Sequence, residues 1–215
     1  MTKIAALAVA VVLLFGAGVT TQSPVPSPSP APAPVLTGFR MPIAGACLPK
    51  SDKLMPNAPR DYRKGKHEGI DFYNSDSCTR VTRGTPVLAA KAGKVVRVDS
   101  SYVDVTKKQV DAFLANPDNE ASLDQFRGRQ VWIDHGTGVV TRYCHLSGVA
   151  KGLEVGAQVP VGQLVGYVGE SGTPSSVTKP GSQFHLHFEL RVADSFLGKA
   201  ITPAKVRALY AAAFK

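Results

Sequence analysis

Phe184-His185-Leu186-His187-Phe188-Glu189-Leu190 alternates large apolar residues with polar ones, the period-2 pattern of a half-buried strand. Phe184, Leu186, Phe188 and Leu190 are expected to face a core, and His185, His187 and Glu189 the opposite side. Two imidazoles at i and i+2 lie about 6.6–7 Å apart at their Cα atoms. One can then hold a metal while the other touches whatever the metal activates. An isolated His-x-His is more often a sheet surface that carries two histidines, so the remaining residues decide.

The stretches around this strand read as further strands. Residues 171–182 form a Gly/Ser/Pro loop leading into it, and 153–169 are short strands punctuated by glycine. Residues 130–134 and 139–146 make a hairpin about His135-Gly136-Thr137-Gly138, and 85–98 two short strands turning at Ala92-Gly93. Residues 106–116 differ: Val110, Phe113 and Leu114 share a helical face, and Asn116-Pro117 stops it. With the polar run to Gly128 this predicts a helical insertion at about 104–128. Thr202 and Pro203 suit the N-cap and first position of a final helix, with Val206, Leu209, Tyr210 and Ala213 inward. The expected fold is mainly β: an antiparallel sandwich or barrel-like domain over 37–215, with one insertion and a C-terminal helix.

The N-terminus reads differently. Ile4 to Phe15 is an unbroken apolar run after Lys3, followed by Gly16-Ala17-Gly18. Residues 1–21 are thus an export signal or an N-terminal anchor, somewhat short for a membrane span of about 20 residues. No Cys follows, so a lipoprotein anchor is not expected. Residues 22–36, rich in Pro, Ser and Ala, are expected to be an extended spacer. The predicted location is therefore outside the cytoplasm, as a secreted, cell-wall or periplasmic protein, with membrane contact through the N-terminal segment. The formal net charge of +9 suits anionic wall polymers or lipid head groups. No basic helix or aromatic stripe supports nucleic-acid binding. Of three cysteines, Cys47 and Cys78 are paired in this reading because both flank one loop-rich segment, and Cys144 is read as a small buried hydrophobe facing away from Tyr143.

The chain has 5 histidines. In a straight strand the Cα atoms of His67 and Asp71 would be about 13 Å apart, so a bend or bulge at Gly69 is needed to bring their side chains together. His67, Asp71 and one of His185 and His187 then make a two-imidazole, one-carboxylate zinc set with an open fourth position. The other histidine of the pair, with His145, is left for proton and oxyanion work. Zinc acidifies a water and polarises a carbonyl, which suits amide hydrolysis. Glu68 and Glu189 are candidate acceptors for ligand imidazoles, or ordinary ion-paired carboxylates. His135 is expected to be a solvated turn residue, and Tyr143 to share the face of His145.

Four motifs in order now resemble one family: His67-x-Gly69-x-Asp71; Gly84-Thr85-Pro86-Val87 with Ala92-Gly93-x-Val95; Tyr143-x-His145-Leu146; and His185-Leu186-His187-Phe188-Glu189. With the glycine-rich run 156–172 they resemble the lysostaphin-type (LytM-like) zinc peptidoglycan endopeptidases. The resemblance implies His67, Asp71 and His187 as ligands of one zinc ion, and His185 and His145 as the catalytic pair. It implies endopeptidase action on cross-links or stem peptides of bacterial peptidoglycan, with His185 as general base and His145 at the oxyanion. The alternatives are a non-catalytic relative that binds the wall or regulates an amidase, and a structural zinc protein. The 100–128 insertion and the Cys78 loop depart from compact members and are expected to flank a substrate groove.

Overall fold

The computed structural model describes residues 33–116 and 120–215. The expected leader, most of the spacer and Pro117 lie outside them. Among the described residues no helix is long and apolar enough to cross a membrane. In chain order the strands are β1 (Pro59–Arg60), β2 (Gly65–Lys66), β3 (Ile70–Tyr73), β4 (Pro86–Leu88), β5 (Gly93–Val98), β6 (Val131–Asp134) and β7 (Val139–Cys144), then β8 (Leu146–Val149), β9 (Gln158–Val159), β10 (Leu164–Val168), β11 (His185–Val192) and β12 (Ser195–Phe196). The helices are α1 (Lys107–Ala115), α2 (Glu120–Phe126), α3 (Pro174–Thr178) and α4 (Pro203–Ala213).

β11, the alternating stretch, is the hub of the larger sheet, whose order is β12-β11-β7-β6-β5-β9 with β3 also on β11. Along one edge it pairs with β7, placing Phe188 opposite Tyr143 and Glu189 opposite Arg142. Along the other it pairs with β3, placing His187 opposite Asp71. A smaller sheet, β4-β10-β8, shares the same core. Leu186, Phe188 and Leu190 pack there with Ile70, Phe72, Ile133, Val87 and Val165. All the pairings are antiparallel. The described residues are therefore mainly antiparallel β with four α-helices, and they close no barrel.

Several expectations change. β11 is not half-buried, because His185, His187 and Glu189 are covered as well. The insertion holds two helices: the polar run contains α2, and Val110, Phe113 and Phe126 build a small satellite core with Val177 of α3. Leu114, expected inward on α1, is 45% exposed, and Leu209 on α4 is likewise exposed while Val206, Tyr210 and Ala213 are buried. α3 lies inside the predicted loop, and its Thr173-Pro174 start repeats the signal of α4. Cys47 and Cys78 are disulfide-bonded. Cys144 is buried and free, and burial pushes its thiol pKa up.

Candidate metal centre

Asp71 reaches His187 because β3 and β11 bring them opposite each other, and side chains opposite each other in an antiparallel pair share a face. His67 arrives differently. It precedes β3, where the β1–β2 hairpin returns: its N–H donates to the Ala58 carbonyl at 2.8 Å and its carbonyl accepts from Asn57 at 2.9 Å. Gly69 then crosses β11 so closely that a Cβ would strike the Phe188 carbonyl and come within 2.9 Å of the His187 ring. The chain bends at Gly69 as expected, and its lack of a side chain serves this close crossing as well.

Three donor atoms converge. His67 Nε2 lies 2.9 Å from Asp71 Oδ1 and 3.0 Å from His187 Nδ1, and His187 Nδ1 lies 2.8 Å from Asp71 Oδ1. All three residues are buried. The far nitrogen of each ring is already engaged: His67 Nδ1 with the Met55 carbonyl at 3.1 Å, and His187 Nε2 with Glu189 Oε1 at 3.2 Å. When those far nitrogens carry the protons, three lone pairs face one point, an arrangement that can hold a cation. Two imidazoles and a carboxylate are a zinc donor set, with acceptors behind the rings fixing their tautomers. The residues fit the ion.

The electrostatics agree with that geometry. Burial would raise the Asp71 carboxyl, but His67 and His187 hold it well below its ordinary range. Burial lowers the His67 imidazole to about 4. Burial also pushes His187 down, yet hydrogen bonds to Asp71 and Glu189 outweigh it and the net shift is upward. Arg60 Nη2 holds the other Asp71 oxygen at 2.9 Å.

Two further imidazoles border the triangle. The His185 ring stacks on Tyr73 with centroids 4.3 Å apart, and its Nδ1–H donates to the Gln183 carbonyl at 2.6 Å. Its Nε2 is left bare, 3.7 Å from Asp71 Oδ1. The His145 ring is 4.7 Å from that of His185, and its Nδ1–H donates to the Ser171 carbonyl at 2.9 Å. Burial lowers both pKa values, so both rings rest neutral.

His145 arrives by an unexpected route. Tyr143 is 0% exposed and points into the core against Phe188, so strand alternation would send His145 inward too. Instead His145 has φ 62°, a left-handed backbone uncommon outside glycine, which turns its ring to the Cys144 side of the sheet. Tyr143 is therefore no site residue. Its hydroxyl accepts from the Ala90 N–H at 2.8 Å. Tyr143→Phe is expected to lower stability by about 1–3 kcal/mol, since that buried donor loses its partner. Zinc affinity should not change; urea unfolding and a zinc titration check the pair of results. His135, partly exposed beside the hairpin turn, has its nitrogens on the Ala92 carbonyl and Thr141 Oγ1, each at 2.9 Å.

The sequence matches the family model described as "Peptidase family M23" over residues 65–203. The chain belongs to peptidase family M23. The resemblance to lysostaphin-type enzymes thus holds at the level of the family, which is one of metallopeptidases. Several solved structures are similar at low identity. A zinc-containing peptidase from Vibrio cholerae is 22% identical, covering 74% of this chain and 38% of that one, with a TM-score of 0.47. The catalytic domain of the antimicrobial peptidase lysostaphin from Staphylococcus simulans is 23% identical, covering 71% and 85%, with a TM-score of 0.41. The catalytic domain of the prophage-encoded M23 protein EnpA from Enterococcus faecalis is 23% identical, covering 65% and 78%, also at 0.41. This M23 chain therefore spans well under half the length of the Vibrio cholerae protein. No curated protein matches the sequence.

The cluster sits at the floor of a groove of 740 Å³. One wall comes from the segment before β3, including Lys53, Arg60 and Tyr62; the other comes from the insertion, with Phe113, Leu114 and Leu123. The insertion does flank the groove. Arg60 and Arg127, both in contact with the cluster's carboxylates, were missed from the sequence: each meets a partner that only the tertiary fold brings near.

Proposed function

We propose that this chain is a zinc-dependent endopeptidase that hydrolyses peptide cross-links or stem peptides of bacterial peptidoglycan outside the cytoplasm. The observation that carries this reading is the convergence of His67 Nε2, Asp71 Oδ1 and His187 Nδ1, within 3.0 Å of one another, beside two bare imidazole nitrogens. These three residues are the proposed ligands of one zinc ion. Bound there, zinc supplies a Lewis acid for the scissile carbonyl and a water of lowered pKa.

The chain's own residues handle the protons. His185, neutral at rest with Nε2 bare, is the acceptor for the proton of the attacking water. Its stack on Tyr73 and its bond to Gln183 fix the ring plane. His145 is a donor to the oxyanion only when Nε2 also carries a proton. The Ser171 carbonyl favours that charged state while burial opposes it; the proton that reaches the leaving amine is the one His185 took from the water, which restores His185 to its neutral form. The groove binds an extended peptide across the five residues. A non-catalytic relative is expected to lack one or more of these groups, and all five are here.

Purified peptidoglycan incubated with the protein should release peptide fragments detectable by mass spectrometry. Dialysis against a zinc chelator should stop the release, and added zinc should restore it. Release that persists unchanged after chelation would sink the metal reading.

A further inference from the structure

The insertion between β5 and β6 reaches the cluster through one side chain. Arg127 follows α2 directly and is buried. It donates from Nε to Glu189 Oε1 at 2.7 Å and from Nη2 to Glu68 Oε2 at 2.8 Å. Glu189 is wholly buried, and its Oε1 is the atom that faces His187 Nε2. Its Oε2 is held by Arg191 at 3.2 Å and Arg142 at 3.4 Å. Of these three guanidinium groups, Arg127 is the one bonded to the oxygen that supports His187. The Arg127 carbonyl also accepts the backbone N–H of His145 at 2.9 Å. One residue of the insertion thus touches the supports of both histidines.

We propose that Arg127 is a positioning residue: through Glu189 it holds the His187 ring so that Nδ1, not Nε2, points at His67 and Asp71. The proposal rests on the zinc reading above. An imidazole can present either nitrogen, and which one it presents is set by the hydrogen bond made by the other. Glu189 makes that bond, and a carboxylate free to rotate would fix neither tautomer nor ring angle. A guanidinium bridges two carboxylates at fixed angles, whereas an ammonium serves one of them well. Charge neutralisation alone would be satisfied by any cation at position 127; positioning would not.

Arg127→Lys separates the two, since it keeps the charge and removes the fork. With the full chain shown to be folded by circular dichroism, zinc affinity is measured by competition with a chromophoric chelator. The coordination geometry is read from the visible absorption of the Co²⁺-substituted protein. Arg127→Lys is expected to bind zinc about tenfold more weakly and to alter the Co²⁺ bands. Glu189→Gln reads the same link from its other end, because an amide offers one acceptor oxygen where Glu189 uses two. It is expected to weaken zinc binding by about 10–100-fold, and it decides the matter if Arg127→Lys does not fold. Unchanged zinc affinity and an unchanged Co²⁺ spectrum in these variants would overturn the proposal alone. A wild type that binds no zinc would overturn it together with the metal reading.

Discussion

His187→Ala is expected to abolish hydrolysis of peptidoglycan while leaving the domain folded. The substitution removes one corner of a triangle whose edges are 2.8–3.0 Å, leaving His67 and Asp71 as a two-donor site too weak to retain zinc through dialysis. A metal supplying several kcal/mol of transition-state stabilisation takes about 10³-fold or more of the rate with it. The fold should survive, because Glu189 loses an imidazole but keeps Arg127, Arg142 and Arg191. No buried charge is left alone, which is the usual route to severe destabilisation. Metal content by atomic absorption, fragment release and a melting curve of the metal-free protein measure the three parts. Equal hydrolysis by wild type and variant, insensitive to chelator, would end the enzyme reading.

The site strand was legible because its own residues encode it: Leu186, Phe188 and Leu190 at period 2 require a core on one side, and β11 has one. Its burial on the other side was not legible. Glu189 is covered by three arginines from positions 127, 142 and 191, and nothing near Glu189 in the chain announces the first. Helices are legible where apolar periodicity is strong, as in α1 and α4; α2 falls inside the expected helical insertion but is not told apart from α1, and the short α3 lies in a stretch that reads as loop. The convergence of His67 with Asp71 is legible through the bend at Gly69, but the second part Gly69 plays is not. Gly69 permits a close crossing over Phe188, a tertiary contact that no local rule supplies. Tyr143 failed for the converse reason: alternation places residues 143 and 145 together, and one left-handed residue at His145 separates them. A single positive φ outside glycine is invisible to pattern reading, and here it delivers an imidazole to the site.

That backbone makes His145 the sharpest test of how the work is divided. His145→Ala is expected to keep zinc and fold yet lose about 10²–10⁴-fold in turnover, the usual contribution of a positioned acid or base. The ring is not one of the three converging donors, and its one hydrogen bond from the side chain goes to the Ser171 carbonyl. The strand entering it is held independently, by the His145 N–H on Arg127 and the Leu146 N–H on Arg129. Removing the imidazole therefore leaves the triangle and its supports in place. Strain is the competing explanation, since alanine tolerates the left-handed region poorly. His145→Asn answers it, because asparagine visits that region readily and cannot accept and return a proton as imidazole does. Both variants should retain wild-type zinc and lose turnover alike. Loss of zinc along with activity would make His145 a ligand and force the roles of the histidines to be redrawn. Full activity in both would show that His145 does no proton or oxyanion work.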